Sequence, residues 1–160
     1  IQVKKLLLIF FLQINLLHGL EVKCNFEEVY SNGEVQQGFF FFKNQKLRYE
    51  YFDKNLFTII AKNKKFFLVN QTHNNNVSKI NSNTEILEIF MNIASEYPDL
   101  KNKYNFNNTI IIVEKSSKGF IKRFSINAEN INVSINLINC VFEDIHDKYF
   151  NHFNFVEVKR

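Results

Sequence analysis

Four consecutive phenylalanines, Phe39–Phe42, constrain this chain more than any other feature. A strand sends alternate side chains to opposite faces, so an unbroken aromatic run keeps both of its faces out of water. The run stands in NGEVQQGFFFFKNQKLRYEY, residues 32–51. Asn32-Gly33 predicts a tight type I′ hairpin turn before it, because both residues tolerate positive φ. The next strand places Leu47, Tyr49 and Tyr51 in one phase. So much aromatic surface beside so few catalytic residue types points to binding an apolar ligand rather than converting a polar one.

The rest of the composition narrows the class. At 160 residues the chain holds one core, and 46% hydrophobic residues with 19 Phe place it among folding chains rather than disordered ones. The formal charge of +4 falls close to +2 once Lys4 and Lys5 of the leader are set aside. That excess is no nucleic-acid footprint.

Residues 1–20 predict a signal peptide: a basic start at Lys4 and Lys5, then an apolar run from Leu6 to Leu17. The run is too short for the ~20 residues that span a bilayer. Residues 21–160 then form a single exported domain. Its two cysteines, Cys24 and Cys140, pair most simply as one disulfide, the alternative being two buried thiols. Lys23 argues against a lipid-modified Cys24, since lipidation needs small residues there.

Period-2 alternation dominates the mature chain. Val22, Cys24, Phe26 and Tyr30 share a face. Further strands are expected near 34–43, 46–52, 56–62, 65–70, 76–80, 108–115, 119–127 and 130–138, joined by short polar hinges. In the last of these, Ile131, Val133, Ile135 and Leu137 alternate with Asn132, Ser134 and Asn136, so one face is wet. One helix interrupts the strands. Ser82 and Glu85 form a capping box, Ile86, Ile89, Phe90, Ile93 and Tyr97 repeat at helical spacing, and Pro98 stops the run. A single helix cannot cover both faces of a sheet of about eight strands. The expected solution is mainly β: a curved or partly closed sheet with this helix plugging one side.

These features together resemble the periplasmic outer-membrane lipoprotein carrier family (LolA-like), over about residues 22–155. The carrying residues are the strand CNFEEVY, Gly38 before the aromatic run, the turn Lys43-Asn44-Gln45, the strand Leu47-Arg48-Tyr49-Glu50-Tyr51, the helix TEILEIF at 84–90, and DKYFNHFNF with Phe150, Phe153 and Phe155. Asn44 and Glu85 stand where the family has Pro, and the family's N-terminal amphipathic helix has no counterpart. The resemblance implies a half-barrel with a helical lid in the periplasm, binding no cofactor and acting as a monomer. It implies a chaperone, not an enzyme, that takes acylated lipoproteins from an inner-membrane lipoprotein-releasing ABC transporter to an outer-membrane acceptor.

Within that picture the acyl cavity is expected from Phe39, Phe40, Phe41, Phe42, Leu47, Tyr49, Tyr51, Ile86, Ile89, Phe90 and Ile93. Lys43 and Arg48 stand as candidate gating residues at its mouth. Arg48 and Glu50, two apart on a strand, are expected to pair on one face. The second reading is a membrane-tethered sensor or scaffold of similar fold that binds lipid or protein without shuttling. An enzymatic reading has only Ser116, Ser117 and His146 to draw on. His73, His146 and His152 show no metal-ligand spacing.

Overall fold

The computed structural model describes residues 19–72, 76–80, 85–129 and 131–153. Most of the expected leader, Ser82 of the capping box, His73 and Phe155 lie outside them. Ten antiparallel strands form one open sheet in the order β6-β5-β4-β3-β2-β1-β10-β9-β8-β7. They are β1 Glu21–Tyr30, β2 Val35–Lys43, β3 Lys46–Tyr51, β4 Thr58–Lys62, β5 Lys65–Val69, β6 Val77–Ile80, β7 Lys103–Phe106, β8 Thr109–Lys115, β9 Ile121–Ala128 and β10 Ile131–Val141. The helix α1, Glu85–Ser95, lies between β6 and β7 in sequence. Among the described residues it is the one α-helix.

The topology has a simple logic. The chain meanders outward from β1 to one edge at β6, passes through α1 to the opposite edge at β7, and meanders back until β10 pairs with β1. The helix thus links the two free edges of an unclosed sheet. Its apolar side, Ile89, Phe90, Met91, Ile93 and Ala94, is buried in one cluster with inward residues from both halves of the sheet. Phe90 meets Phe40 and Phe124 edge to face, with centroids 5.7 and 5.2 Å apart. Burying one such ring contributes about 1.5–3 kcal/mol.

The type I′ turn expected at Asn32-Gly33 does not form there. The type I′ geometry falls at Asn44-Gln45 and Asn63-Lys64, where both central residues have positive φ (46° and 61°, 54° and 58°). Asn32-Gly33 instead belongs to a three-residue loop: Gly33 N–H donates to Tyr30 O, Tyr30 N–H donates to Glu34 O, and only Gly33 has positive φ, at 84°. That is a type I turn followed by a glycine bulge. The strand β7 was not anticipated, and at four residues its KYNF pattern is too short to declare a period.

The second half of the disulfide depends on another bulge. Lys23 pairs with Val141 and Asn25 with Ile138, so β10 carries one extra residue opposite Cys24. Asn139 absorbs it at φ 53°. Without the extra residue, the phase that turns Val133, Ile135 and Leu137 inward would point Cys140 outward. With it, Cys140 turns in and bonds Cys24, their Cα atoms 4.1 Å apart and 116 residues apart in sequence. Chain-entropy arguments assign such a cross-link ~4–5 kcal/mol.

The Phe39–Phe42 run is buried on both faces, but by two different covers. Phe40 and Phe42 belong to the core beneath α1, whereas Phe39 and Phe41 pack on the opposite face with Ile145 and Phe150. The second cover is the chain after β10. It lies under β2–β5 and contains a 3-10 turn, Asp147–Phe150, capped by His146, whose Nδ1 accepts from Lys148 N–H. Phe150 is fully buried there, while Phe153 is 82% exposed.

Candidate functional site

A largely apolar hollow lies on the inner face, at the end of the sheet bearing the β1–β2 turn. Its volume is about 450 Å³, within the ~300–1,000 Å³ of small-molecule sites. Three sides enclose it. Ile86, Leu87 and Phe90 of α1 form one side; Phe124, Ile126, Val133 and Ile135 of β9 and β10 form the second; Tyr49, Tyr51 and Ile59 of β3 and β4 form the third. It opens beside the exposed Ser31 and Asn32.

The sheet register explains why these residues meet. Glu28 pairs with Ile135 and Tyr30 with Val133, which carries the inward phase of β1 onto the inward phase of β10. On the other side Phe26 pairs with Gly38, which pairs with Tyr51. A Cβ on Gly38 would stand 2.1 Å from the Glu50 carbonyl and 2.5 Å from the Phe26 ring. Glycine there lets the Phe26 ring reach the tyrosines. It stacks on Tyr49 at 4.0 Å and meets Tyr51 edge-on at 5.4 Å.

One carboxylate sits in this apolar wall. Glu28 is only 6% exposed. It accepts hydrogen bonds from the hydroxyls of Tyr49 (2.6 Å), Tyr30 (2.7 Å) and Tyr51 (3.1 Å). Among the described residues no lysine or arginine forms an ion pair with it. Burial, reinforced by the neighbouring Glu28 charge, raises all three phenols well above their ordinary value of 10.0. They therefore remain hydrogen-bond donors throughout the physiological range.

The expected cavity residues divide between this site and its surroundings. Tyr49, Tyr51, Ile86 and Phe90 line the hollow. Phe40, Phe42, Leu47, Ile89 and Ile93 are in the core around it, and Phe39 and Phe41 face away from it. Neither candidate gating residue is at this mouth. Arg48 is fully buried on the outer face, where its Nε donates to Glu50 at 2.8 Å and its Nη1 donates to Tyr149 O at 3.2 Å. Strand alternation sets this outcome: Arg48 and Glu50 are out of phase with Tyr49 and Tyr51. Lys43 lies at the other end of β2, donating to Ile145 O at 2.7 Å and Asp144 at 3.2 Å, with Glu21 also 3.2 Å away. Burial opposes its charge, yet these carboxylates raise its pKa above the ordinary 10.5. Both cations tie the C-terminal segment to the sheet.

Glu28 escaped the sequence reading although a signal for it was present, and Tyr30 was placed on the inward face without a binding role. Counting in twos from Val22 through Cys24 and Phe26 reaches Glu28 before Tyr30, which puts a carboxylate on an apolar face. Two other concavities are present among the described residues, one of them adjoining the site. One, of about 260 Å³, shares Tyr30, Tyr51 and Ile59 with it. The other, of about 610 Å³, lies at the opposite end between the Asn44-Gln45 and Asn63-Lys64 turns and α1, and has a more polar lining.

Of the residues named for an enzymatic reading, Ser116 N–H and O are used in the β8–β9 turn and His146 caps the 3-10 turn. Neither touches the hollow. No protein-family model matches the chain, and no curated protein sequence matches it.

Proposed function

We propose that this protein binds and shields a hydrocarbon chain in the hollow between α1 and the inner face of the sheet. The observation that carries the reading is the hollow itself: an aliphatic and aromatic space of about 450 Å³, walled by strands from both halves of the sheet and roofed by one helix. Each CH₂ moved there from water is worth ~0.8 kcal/mol, so a single acyl chain supplies ample affinity. A disulfide-bonded domain suits an exported, oxidising setting such as the periplasm.

In the fullest form of this reading the protein is a lipoprotein carrier, and α1 is its lid. The helix is joined to the sheet edges at its two ends and packs through one stripe. Moving it would enlarge the hollow for further chains without breaking a strand pair. An inner-membrane exporter would load the carrier and an outer-membrane acceptor would unload it.

The test is co-expression of the full chain with an acylated lipoprotein, purification, and mass spectrometry of what stays bound. The reading predicts acylated cargo, depleted by Phe90→Asp but retained by Phe39→Leu on the opposite face. A protein that carries nothing acylated, or that Phe90→Asp leaves equally loaded, contradicts it.

A further inference from the structure

A hollow made only to shelter hydrocarbon has no use for a carboxylate in its wall. Burying a charge costs several kcal/mol unless something compensates it. Here three phenol hydroxyls converge on Glu28 and hold it as an acceptor. They supply hydrogen bonds but no positive charge. Among the described residues Glu28 is also the only charged one in the lining, with no lysine or arginine beside it.

Aromatic rings surround it. Tyr30, Tyr49 and Tyr51 each stand at the carboxylate, and Phe26 packs against two of them. Aromatic faces carry negative potential and attract cations, by about 0.5–2 kcal/mol depending on desolvation. A carboxylate within an aromatic cluster thus favours a positive head group and repels a negative one. A fatty acid's carboxylate or a phosphate would have to stay outside.

We propose that the Glu28–Tyr30–Tyr49–Tyr51 cluster is a receptor for an ammonium group carried on an apolar chain. The inference rests on the hollow taking such a chain and specifies what the chain bears. The ammonium sits against Glu28 as the counter-charge the fold omits, and the hydrocarbon runs along Phe124, Ile126 and Ile135. Two sources share this chemistry: a simple lipid amine, and a lipidated polypeptide whose N-terminal α-amine is free.

The experiment compares dodecyltrimethylammonium, dodecanol and dodecanoate by calorimetry on the disulfide-intact protein, each below its micelle concentration. The ammonium should bind about tenfold or more tighter than dodecanol, and dodecanoate weakest. Glu28→Gln should erase the ammonium preference while dodecanol binding persists, and Tyr30→Phe should weaken it in part. Equal binding of the three by the unaltered protein overturns the receptor while leaving hydrocarbon binding standing. Binding of none overturns both. A second arm uses a short peptide with S-dodecylcysteine at its N-terminus, its α-amine free or acetylated. Preference for the free amine supports the receptor with a lipidated polypeptide as source, while equal binding of the two forms alongside an intact ammonium preference supports it with a lipid amine as source.

Discussion

Arg48 shows how far one alternation step changes a residue's meaning. Its neighbours Tyr49 and Leu47 face the inner core, while Arg48 is enclosed between the sheet and the C-terminal segment with Glu50. A surface pair of this kind would contribute little; a buried one is costly to break, because the surviving charge is left without a partner. Arg48→Met should therefore lower stability by ~3–5 kcal/mol in urea unfolding. Adding Glu50→Leu to it should restore most of that loss. A single variant that unfolds at the same urea concentration as the unaltered protein would refute this account of the outer face. The pairing of Arg48 with Glu50 was legible from their i, i+2 spacing. Its burial was not, because nothing in β3 announces that a segment about a hundred residues later covers it.

That C-terminal segment is the element with the clearest pH dependence. His152 stacks on Phe67 with centroids 3.6 Å apart, and neither ring nitrogen has a hydrogen-bond partner among the described residues. Burial, aided by the Lys62 charge, lowers its pKa below the ordinary 6.5. The folded pKa is the lower one, so protonation favours the undocked segment, and docking weakens as pH falls below about 6.5. Asp144 and Asp147 are held below the usual carboxylate range, chiefly by hydrogen bonds to Lys43 and Lys46. Protection factors of the amides at residues 149–153, taken from exchange rates corrected for their intrinsic pH dependence, should fall from pH 7 to pH 5, and His152→Phe should diminish that fall. Protection factors that stay flat across this range would contradict it. At this scale the strong periods were readable: the helix over Glu85–Ser95 and most strands fall near their expected places. What was not readable was set by single residues off the pattern. Asn139 re-phases β10 so that Cys140 turns inward, and an αL asparagine inside a strand has no distinctive sequence mark.

For the molecule as a whole, the decisive arrangement is that α1 joins both edges of an open sheet instead of the sheet closing on itself. The sequence carried that outcome in coarse form, since one helix between two sets of strands must bury its stripe against something curved. It carried the hollow less well. Aromatic content drew attention to Phe39–Phe42, yet a strand covered on both sides becomes core, and the open space formed where β1, β3, β9, β10 and α1 fail to fill the concavity. Those walls come from strands far apart in sequence and meet only through the β1–β10 pairing. The central claim is that an apolar chain enters there, and isoleucine methyl groups report it directly. Ile86, Ile126 and Ile135 line the hollow, while Ile110, Ile112 and Ile138 are exposed apolar side chains that do not. In protein carrying labelled isoleucine methyls, bound dodecanol should give nuclear Overhauser effects to the first three and none to the second three. Contacts confined to Ile110, Ile112 and Ile138, or contacts to no isoleucine at all, would contradict the account.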